Sequence, residues 1–188
     1  MKEMKETIIV TGGAGYIGSH TVVELINSGY NVLIMDDLSN SDKSVLDGLK
    51  QITGLTVPFY KVDICDKKAL FKIIKSNGPV SGIIHFAAFK AVGESVQNPL
   101  KYYHNNLVSL INVLDAMKTF QIEKLVFSSS CTVYGQPDLL PVTEETPIQK
   151  AESPYGNTKQ ICEEIILDFL KVNFLHKAIL LRYFNPIG

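Results

Sequence analysis

The chain has 188 residues, 46% hydrophobic and 20% charged, with a formal net charge of −1. This is the size of one large domain with enough apolar material for a buried sheet, and its dispersed charge gives no electrostatic footprint for nucleic acid or an anionic membrane. Three cysteines, Cys65, Cys131 and Cys162, are odd in number and form no CxxC pair, which argues against a disulfide framework or zinc ribbon and fits a reducing cytoplasm.

Residues 1–6 carry both charge signs and lead into an apolar run of only four residues, too short for a secretion signal, and no stretch is long enough to span a bilayer. A β-branched run at 7–11 then breaks into TGGAGYIG at 11–18 and resumes with helical spacing over 16–28. That is a strand, a phosphate-cradling turn and a helix start. The glycines read as Gly12, Gly15 and Gly18 or as Gly13, Gly15 and Gly18. In either reading one permits the tight turn, one lets backbone approach a pyrophosphate and one lets the helix pack on the strand. The helix N-terminus offers unpaired N–H groups to bridging phosphates.

The second run, 31–36, ends in Asp36, where a carboxylate holds adenosine ribose hydroxyls. With Asp37 beside it and no nearby arginine, a 2′-phosphate would meet two negative charges, which favours NAD over NADP. Further β-rich runs at 57–62, 80–87, 123–128 and 177–182 alternate with helical segments at 42–52, 66–77, 98–119 and 154–173. This alternation predicts an α/β fold: a doubly wound parallel sheet, the Rossmann fold, with six strands in the order 3-2-1-4-5-6 and a ligand crevice at the switch point. Residues 136–152, with three prolines, read as a surface excursion before a helix capped by Ser153 and opened by Pro154.

The helices at 98–119 and 154–173 are apolar over more than one face. Leu100, Tyr103, Leu107, Val108, Leu110, Ile111, Val113, Leu114 and Met117 wrap the first, and Ile161, Cys162, Ile165, Ile166, Phe169 and Leu170 the second. One face can cover the sheet, and the other predicts a homodimer that pairs these helices into a four-helix bundle. His20, His85, His104 and His176 have neither HxxxH nor HExxH spacing, so no metal site is expected.

Tyr155 and Lys159 stand at i and i+4 of the last helix, a phenol and an ammonium on one face. With eight tyrosines and a lysine-rich chain, about 0.7 such YxxxK matches arise by chance. Context raises the specificity: Ser128, Ser129 and Ser130 end the fifth strand on the crevice side. A hydroxyl, a phenol and a lysine beside a nicotinamide form a proton-removal site for a carbon bearing a hydroxyl. Bringing a tyrosine from about 10 to neutrality takes roughly 4 kcal/mol of preferential phenolate stabilisation. An ammonium about 4 Å away supplies about 1 kcal/mol in water and about 4 kcal/mol at an effective dielectric near 20, so the site must be sheltered. Cys131 next to Ser130 has no histidine base nearby, which argues against a thiol nucleophile.

The glycine turn, Asp36, the serine run, YxxxK and the closing RYFNP resemble the extended short-chain dehydrogenase/reductase family. More narrowly, TGGAGYIGSHT, KAVGESVQNPLKYY, FSSSCTVYG, SPYGNTK and LLRYFNP are similar to its UDP-sugar 4-epimerase branch, over essentially all 188 residues. The resemblance implies interconversion of UDP-glucose and UDP-galactose in galactose metabolism, with NAD as a cofactor that stays bound. Tyr155 would be the base removing the sugar 4-hydroxyl proton while hydride passes from C4 to NAD. Ser130 would hydrogen-bond the same oxygen, and Lys159 would hold the nicotinamide ribose and depress the tyrosine. The 4-keto sugar would then rotate and take hydride back on its other face.

The same resemblance places Tyr16, Ile17, Asp36, Asp37, Leu38, Ser39, Asn40, Ser41, Asp63, Ile64, Phe86, Ala87, Ala88, Phe89, Lys90, Asn105, Tyr183 and Phe184 around NAD, beside the glycines. It places Lys90, Ser130, Tyr155 and Asn185 at the UDP-sugar. Read without the resemblance, Asp63 is a helix cap and Lys90 a solvated loop lysine. Related 4,6-dehydratases carry an Asp-Glu pair where this chain has Cys131 and Thr132, which weighs against dehydration. A different class of reading is an NAD-binding module with impaired catalysis. Epimerases of this branch carry a further C-terminal domain that binds UDP, which the resemblance places outside residues 1–188.

Overall fold

The computed structural model describes residues 6–186; the charged lead-in at 1–5 and residues 187–188 lie outside the described residues. Six strands form one parallel sheet: β1 (Thr7–Thr11), β2 (Asn31–Asp36), β3 (Phe59–Lys61), β4 (Gly82–His85), β5 (Lys124–Ser130) and β6 (Lys177–Tyr183). Their order is β3-β2-β1-β4-β5-β6, so the direction of winding reverses between β1 and β4 and opens a crevice at their carboxyl ends. The helices are α1 (Tyr16–Asn27), α2 (Ser44–Thr53), α3 (Lys67–Asn77), α4 (Val92–Gln97), α5 (Pro99–Phe120) and α6 (Pro154–Val172), with a 3₁₀ turn at Cys131–Tyr134.

The period-2 alternation of the strands sends neighbouring residues to opposite faces. Ile9, Met35, Ile83, Leu125 and Phe127 pack with Leu70 of α3, Leu110 and Met117 of α5 and Ile166 of α6 on one face. Ile8, Val10, Val32 and Ile34 pack with Val22 of α1 and Leu49 of α2 on the other. The second face thins out toward β6. Ile84, Val126 and Ile179 lie in register across β4, β5 and β6, yet Ile179 is 60% exposed and Leu181 38%.

Local chemistry explains several boundaries. Ser153 accepts a hydrogen bond from the Gly156 N–H at 3.1 Å and Pro154 opens α6, while Asp66 accepts from the Ala69 N–H at 3.0 Å to cap α3. The expected strand at 57–62 contracts to β3, and the one at 80–87 to β4. The strand expected at 123–128 lengthens instead, because Ser129 and Ser130 pair with Arg182 and Tyr183. The Pro-rich excursion is pinned by Gln160, whose amide donates to the Gln149 carbonyl at 2.6 Å and the Val133 carbonyl at 2.9 Å.

Most of the apolar excess on α5 and α6 is buried within the chain: Leu110, Val113, Leu114, Met117, Cys162 and Ile166 are core residues. Leu100, Ile111 and Leu167 remain exposed. Among the described residues no helix is long and apolar enough to cross a membrane.

Candidate functional site: a dinucleotide-shaped cleft

The crevice is a cleft of about 460 Å³, the size of a small-molecule site. At one end lies the glycine turn, and the structure separates the two readings of its glycines. Gly12 has φ of +67°, and a Cβ there would stand 2.7 Å from the Ala87 nitrogen. A Cβ on Gly18 would fall 2.2 Å from the Gly12 carbonyl oxygen, so only glycine lets α1 start this close to the turn. Gly12, Gly15 and Gly18 line the cleft, whereas Gly13 packs toward Ile34. Among the described residues no side chain caps the N-terminus of α1, so its N–H groups are left for a phosphate.

Asp36 organises the neighbouring loop. Its Oδ2 accepts from the Ala14 N–H at 3.0 Å, and its Oδ1 from the Leu38 N–H at 2.8 Å and the Ser41 hydroxyl at 3.0 Å. A carboxylate has about four acceptor positions, so one remains for a ribose hydroxyl. Asp37, Ser39, Asn40 and Ser41 line the cleft, while Leu38 is off its wall and serves Asp36 through its N–H at φ of +61°. Asp63 and Ile64 line it as well. Asp63 accepts from the Cys65 N–H at 2.8 Å, and the cap of α3 is Asp66, so Asp63 is not a helix cap.

The loop after β4 brings Phe86, Ala87, Ala88, Phe89 and an exposed Lys90 to the cleft. It is held from two sides. Thr11 Oγ1 bonds the ring of buried His85 at 2.7 Å. Asn106, 2% exposed, pairs with both the N–H and the carbonyl of Phe89, and also donates to the Thr158 hydroxyl at 3.0 Å on α6. Asn105, Tyr183, Phe184 and Asn185 complete the lining.

At the other end Ser130, Tyr155 and Lys159 converge, all at most 9% exposed. Three consecutive serines of β5 take three tasks. The Ser128 carbonyl accepts from Lys159 Nζ at 2.7 Å, the Ser129 hydroxyl bonds Glu163, and the Ser130 hydroxyl faces the Tyr155 phenol. Burial pushes the Tyr155 phenol above its ordinary value, Ser130 pulls it back and Cys131 adds to the rise. Burial also lowers Lys159 to about 8, and its ammonium stands 5.9 Å from the centre of the Tyr155 ring. Burial takes Cys65, near the ribose end, the other way, up to about 12.

The cradle, the remaining acceptor of Asp36 and the lining that runs from the glycines to Tyr155 fit a dinucleotide. Four contributors lie outside the expected set: Asn106, His85, Glu163 and Arg182. Two carried a signal. Glu163 is one turn past Lys159 on the same helix face, and Arg182 is the only arginine in the chain.

Comparison with known proteins agrees with this geometry. The NAD dependent epimerase/dehydratase family matches residues 8–188. The UDP-glucose 4-epimerase of Bacillus subtilis is 50% identical over 181 residues, 96% of this chain and 53% of that protein. The Dictyostelium discoideum UDP-glucose 4-epimerase is 48% identical over all of this chain and 54% of its own length. The crystal structure of a UDP-glucose 4-epimerase from Bifidobacterium longum in complex with NAD+ and UDP superposes with a TM-score of 0.94 at 45% identity, over 97% of this chain and 54% of that one. The chain thus spans about half the length of the curated relatives it matches.

Proposed function

The chain belongs to the NAD dependent epimerase/dehydratase family, and on that premise we propose that it is the NAD-holding, proton-handling part of a UDP-glucose 4-epimerase. The observation that carries this reading is the convergence of Ser130, Tyr155 and Lys159 at one end of a cleft whose other end is the glycine cradle and Asp36. When bound, NAD supplies the oxidant for sugar C4 and returns the electrons afterwards.

The chain's own residues do the rest. Gly12, Gly15 and the N-terminus of α1 seat the pyrophosphate, and Asp36 takes a ribose hydroxyl. Lys159, which in this structure donates to the Ser128 carbonyl, would hold the second ribose through its ammonium. The phenolate of Tyr155 takes the proton of the sugar 4-hydroxyl and gives it back after the sugar has turned. Ser130 accepts from that hydroxyl and donates to the phenolate, so the proton passes through it on the way to Tyr155. Lys90 and Asn185, at the mouth, reach the sugar nucleotide. Cys131 and Thr132 offer no carboxyl for elimination, which supports epimerisation over dehydration.

Residues 1–188 form, on this reading, the dinucleotide domain carrying the reacting groups, with the uridine grip in a domain outside this sequence. Leu100, Ile111 and Leu167, exposed along α5 and α6, support a homodimer through those helices, which a mass measurement at micromolar concentration tests. The composition and reduced cysteines fit a cytoplasmic setting and take neither nucleic acid nor a membrane as partner.

The deciding experiment is conversion of UDP-galactose to UDP-glucose by the purified chain with NAD in excess. Conversion that drops by about 10³-fold in Tyr155→Phe is the expected result. Tight NAD binding without conversion would leave a dinucleotide-holding module, a reading favoured by the burial that pushes the Tyr155 phenol above its ordinary value.

A further inference from the structure

Glu163 and Arg182 lie outside the cleft lining, yet they connect four elements of the fold. Glu163 on α6 is 3% exposed. One of its oxygens takes the Ser129 hydroxyl and Arg182 Nε at 3.0 Å, and the other takes Arg182 Nη2 at 2.7 Å. Arg182, on β6, donates through Nη1 to the Tyr134 hydroxyl at 3.0 Å and stacks over the Tyr134 ring at 4.9 Å. Ser129 immediately precedes Ser130, and Tyr134 closes the 3₁₀ turn that follows it.

We propose that the Glu163–Arg182 pair, a buried carboxylate and a half-buried guanidinium, is a positioning device: it grips the segment carrying Ser130 at both ends and fastens it to the helix that carries Tyr155 and Lys159. This rests on the reading of those three groups as the proton-handling set. Glu163 is one helical turn beyond Lys159 and two beyond Tyr155, so its carboxylate fixes the β5 terminus against the face of α6 that bears them. The guanidinium suits this task because its planar fork serves Glu163 and Tyr134 at once, which a lysine ammonium at the end of a flexible stem does not. A plain staple between β6 and α6 would need only the Glu163–Arg182 contact. The Ser129 and Tyr134 bonds are what direct the pair at Ser130.

Two variants separate positioning from stapling, and both preserve the charge of the pair. Tyr134→Phe removes one hydroxyl and leaves the ion pair intact, and Arg182→Lys keeps the charge while losing the fork. In the chain without dinucleotide, the Tyr155 phenol is titrated by its absorbance, taken as the difference from the same chain carrying Tyr155→Phe. NAD affinity and turnover of UDP-galactose are measured on the same samples.

In both variants Tyr155 is expected to ionise at higher pH than in the parent, because Ser130 is no longer held against it. Turnover falls about 5- to 20-fold in Tyr134→Phe and about 100-fold in Arg182→Lys, with NAD affinity and KM within about 2-fold. Parent-like tyrosine titration in a folded Tyr134→Phe chain overturns the proposal, whatever happens to thermal stability. Should Arg182→Lys fail to fold, Tyr134→Phe alone decides. Absence of turnover in the parent would leave the dinucleotide-holding reading of this chain, while the titration would still decide the positioning.

Discussion

The Lys159 ammonium donates to the Ser128 carbonyl oxygen at 2.7 Å and stands 5.9 Å from the centre of the Tyr155 ring, so in the chain by itself the lysine is tied to β5 and not to the tyrosine. The charge that a phenolate needs is stored one bond away from where it is used. Reorienting Lys159 toward a bound ribose would couple dinucleotide binding to activation of the tyrosine.

That stored charge is costly. Burial lowers Lys159 from 10.5 to about 8, so between those values the unfolded chain binds the extra proton and stability rises with pH. Below about pH 8 the folded state carries a penalty on the order of 3 kcal/mol. Lys159→Met should therefore unfold at higher urea, by about 1–2 kcal/mol near neutral pH after allowing for the orphaned Ser128 carbonyl. It should also lose the rise in stability toward pH 10 and nearly all turnover. A less stable Lys159→Met chain would show that the ammonium is well accommodated.

His85 works in the opposite pH range. Burial first, and Lys159 second, push it from 6.5 down to about 3, so the folded chain keeps it neutral against Thr11 while the unfolded chain protonates it. The stability this provides is complete above about pH 6.5 and drains away on acidification, by about 2 kcal/mol between pH 7 and pH 5. His85→Asn, which can still bond Thr11 and does not titrate, should flatten that part of the urea midpoint against pH. An unchanged slope would assign the acid loss to other groups.

Two glycines should respond in opposite directions to alanine. In Gly18→Ala the new Cβ meets the Gly12 carbonyl at 2.2 Å, which forces the turn open. NAD binding should be lost and stability should drop by about 3 kcal/mol or more. Gly48, inside α2, has nothing within 4 Å of its Cβ position. Gly48→Ala should gain about 0.5–1 kcal/mol through helix propensity, raising Tm by about 2–4 °C without touching NAD affinity. Calorimetry and a binding titration read both.

Asp36→Asn removes the charge while leaving one acceptor for the loop. About 10-fold weaker NAD binding is expected, together with a smaller preference over NADP, because the repulsion of a 2′-phosphate by Asp36 disappears. Equal affinity ratios for the two dinucleotides in parent and variant would mean that Asp37 alone discriminates.

Strand order, the glycine cradle and the Ser130, Tyr155 and Lys159 set were legible because each rests on local pattern: β-branched runs, glycine spacing, and i, i+4 geometry on one helix. Helix α4 was not. VGESVQ is under two turns and contains Gly93, and it is stabilised from outside, by the Ser95 hydroxyl on the Val92 carbonyl at 2.6 Å and by Glu94 bonded to Lys101 and Tyr102. Asn106 was illegible for the same reason, since its partners Phe89 and Thr158 are 17 and 52 residues away. Glu163 and Arg182 lay in plain sight as charged residues in apolar surroundings. Their assignment to each other needed the register of β6 on β5.

The thin second face over β5 and β6 has a bearing on how the chain behaves at high concentration. Among the described residues Ile179 and Leu181 lie on the outermost strand of the sheet, where only Lys177 and Arg182 interrupt the apolar run with charge. Arg182 is already committed to Glu163, which leaves a single gatekeeper. A lysine in place of Ile179 should then raise the concentration at which the chain stays in solution.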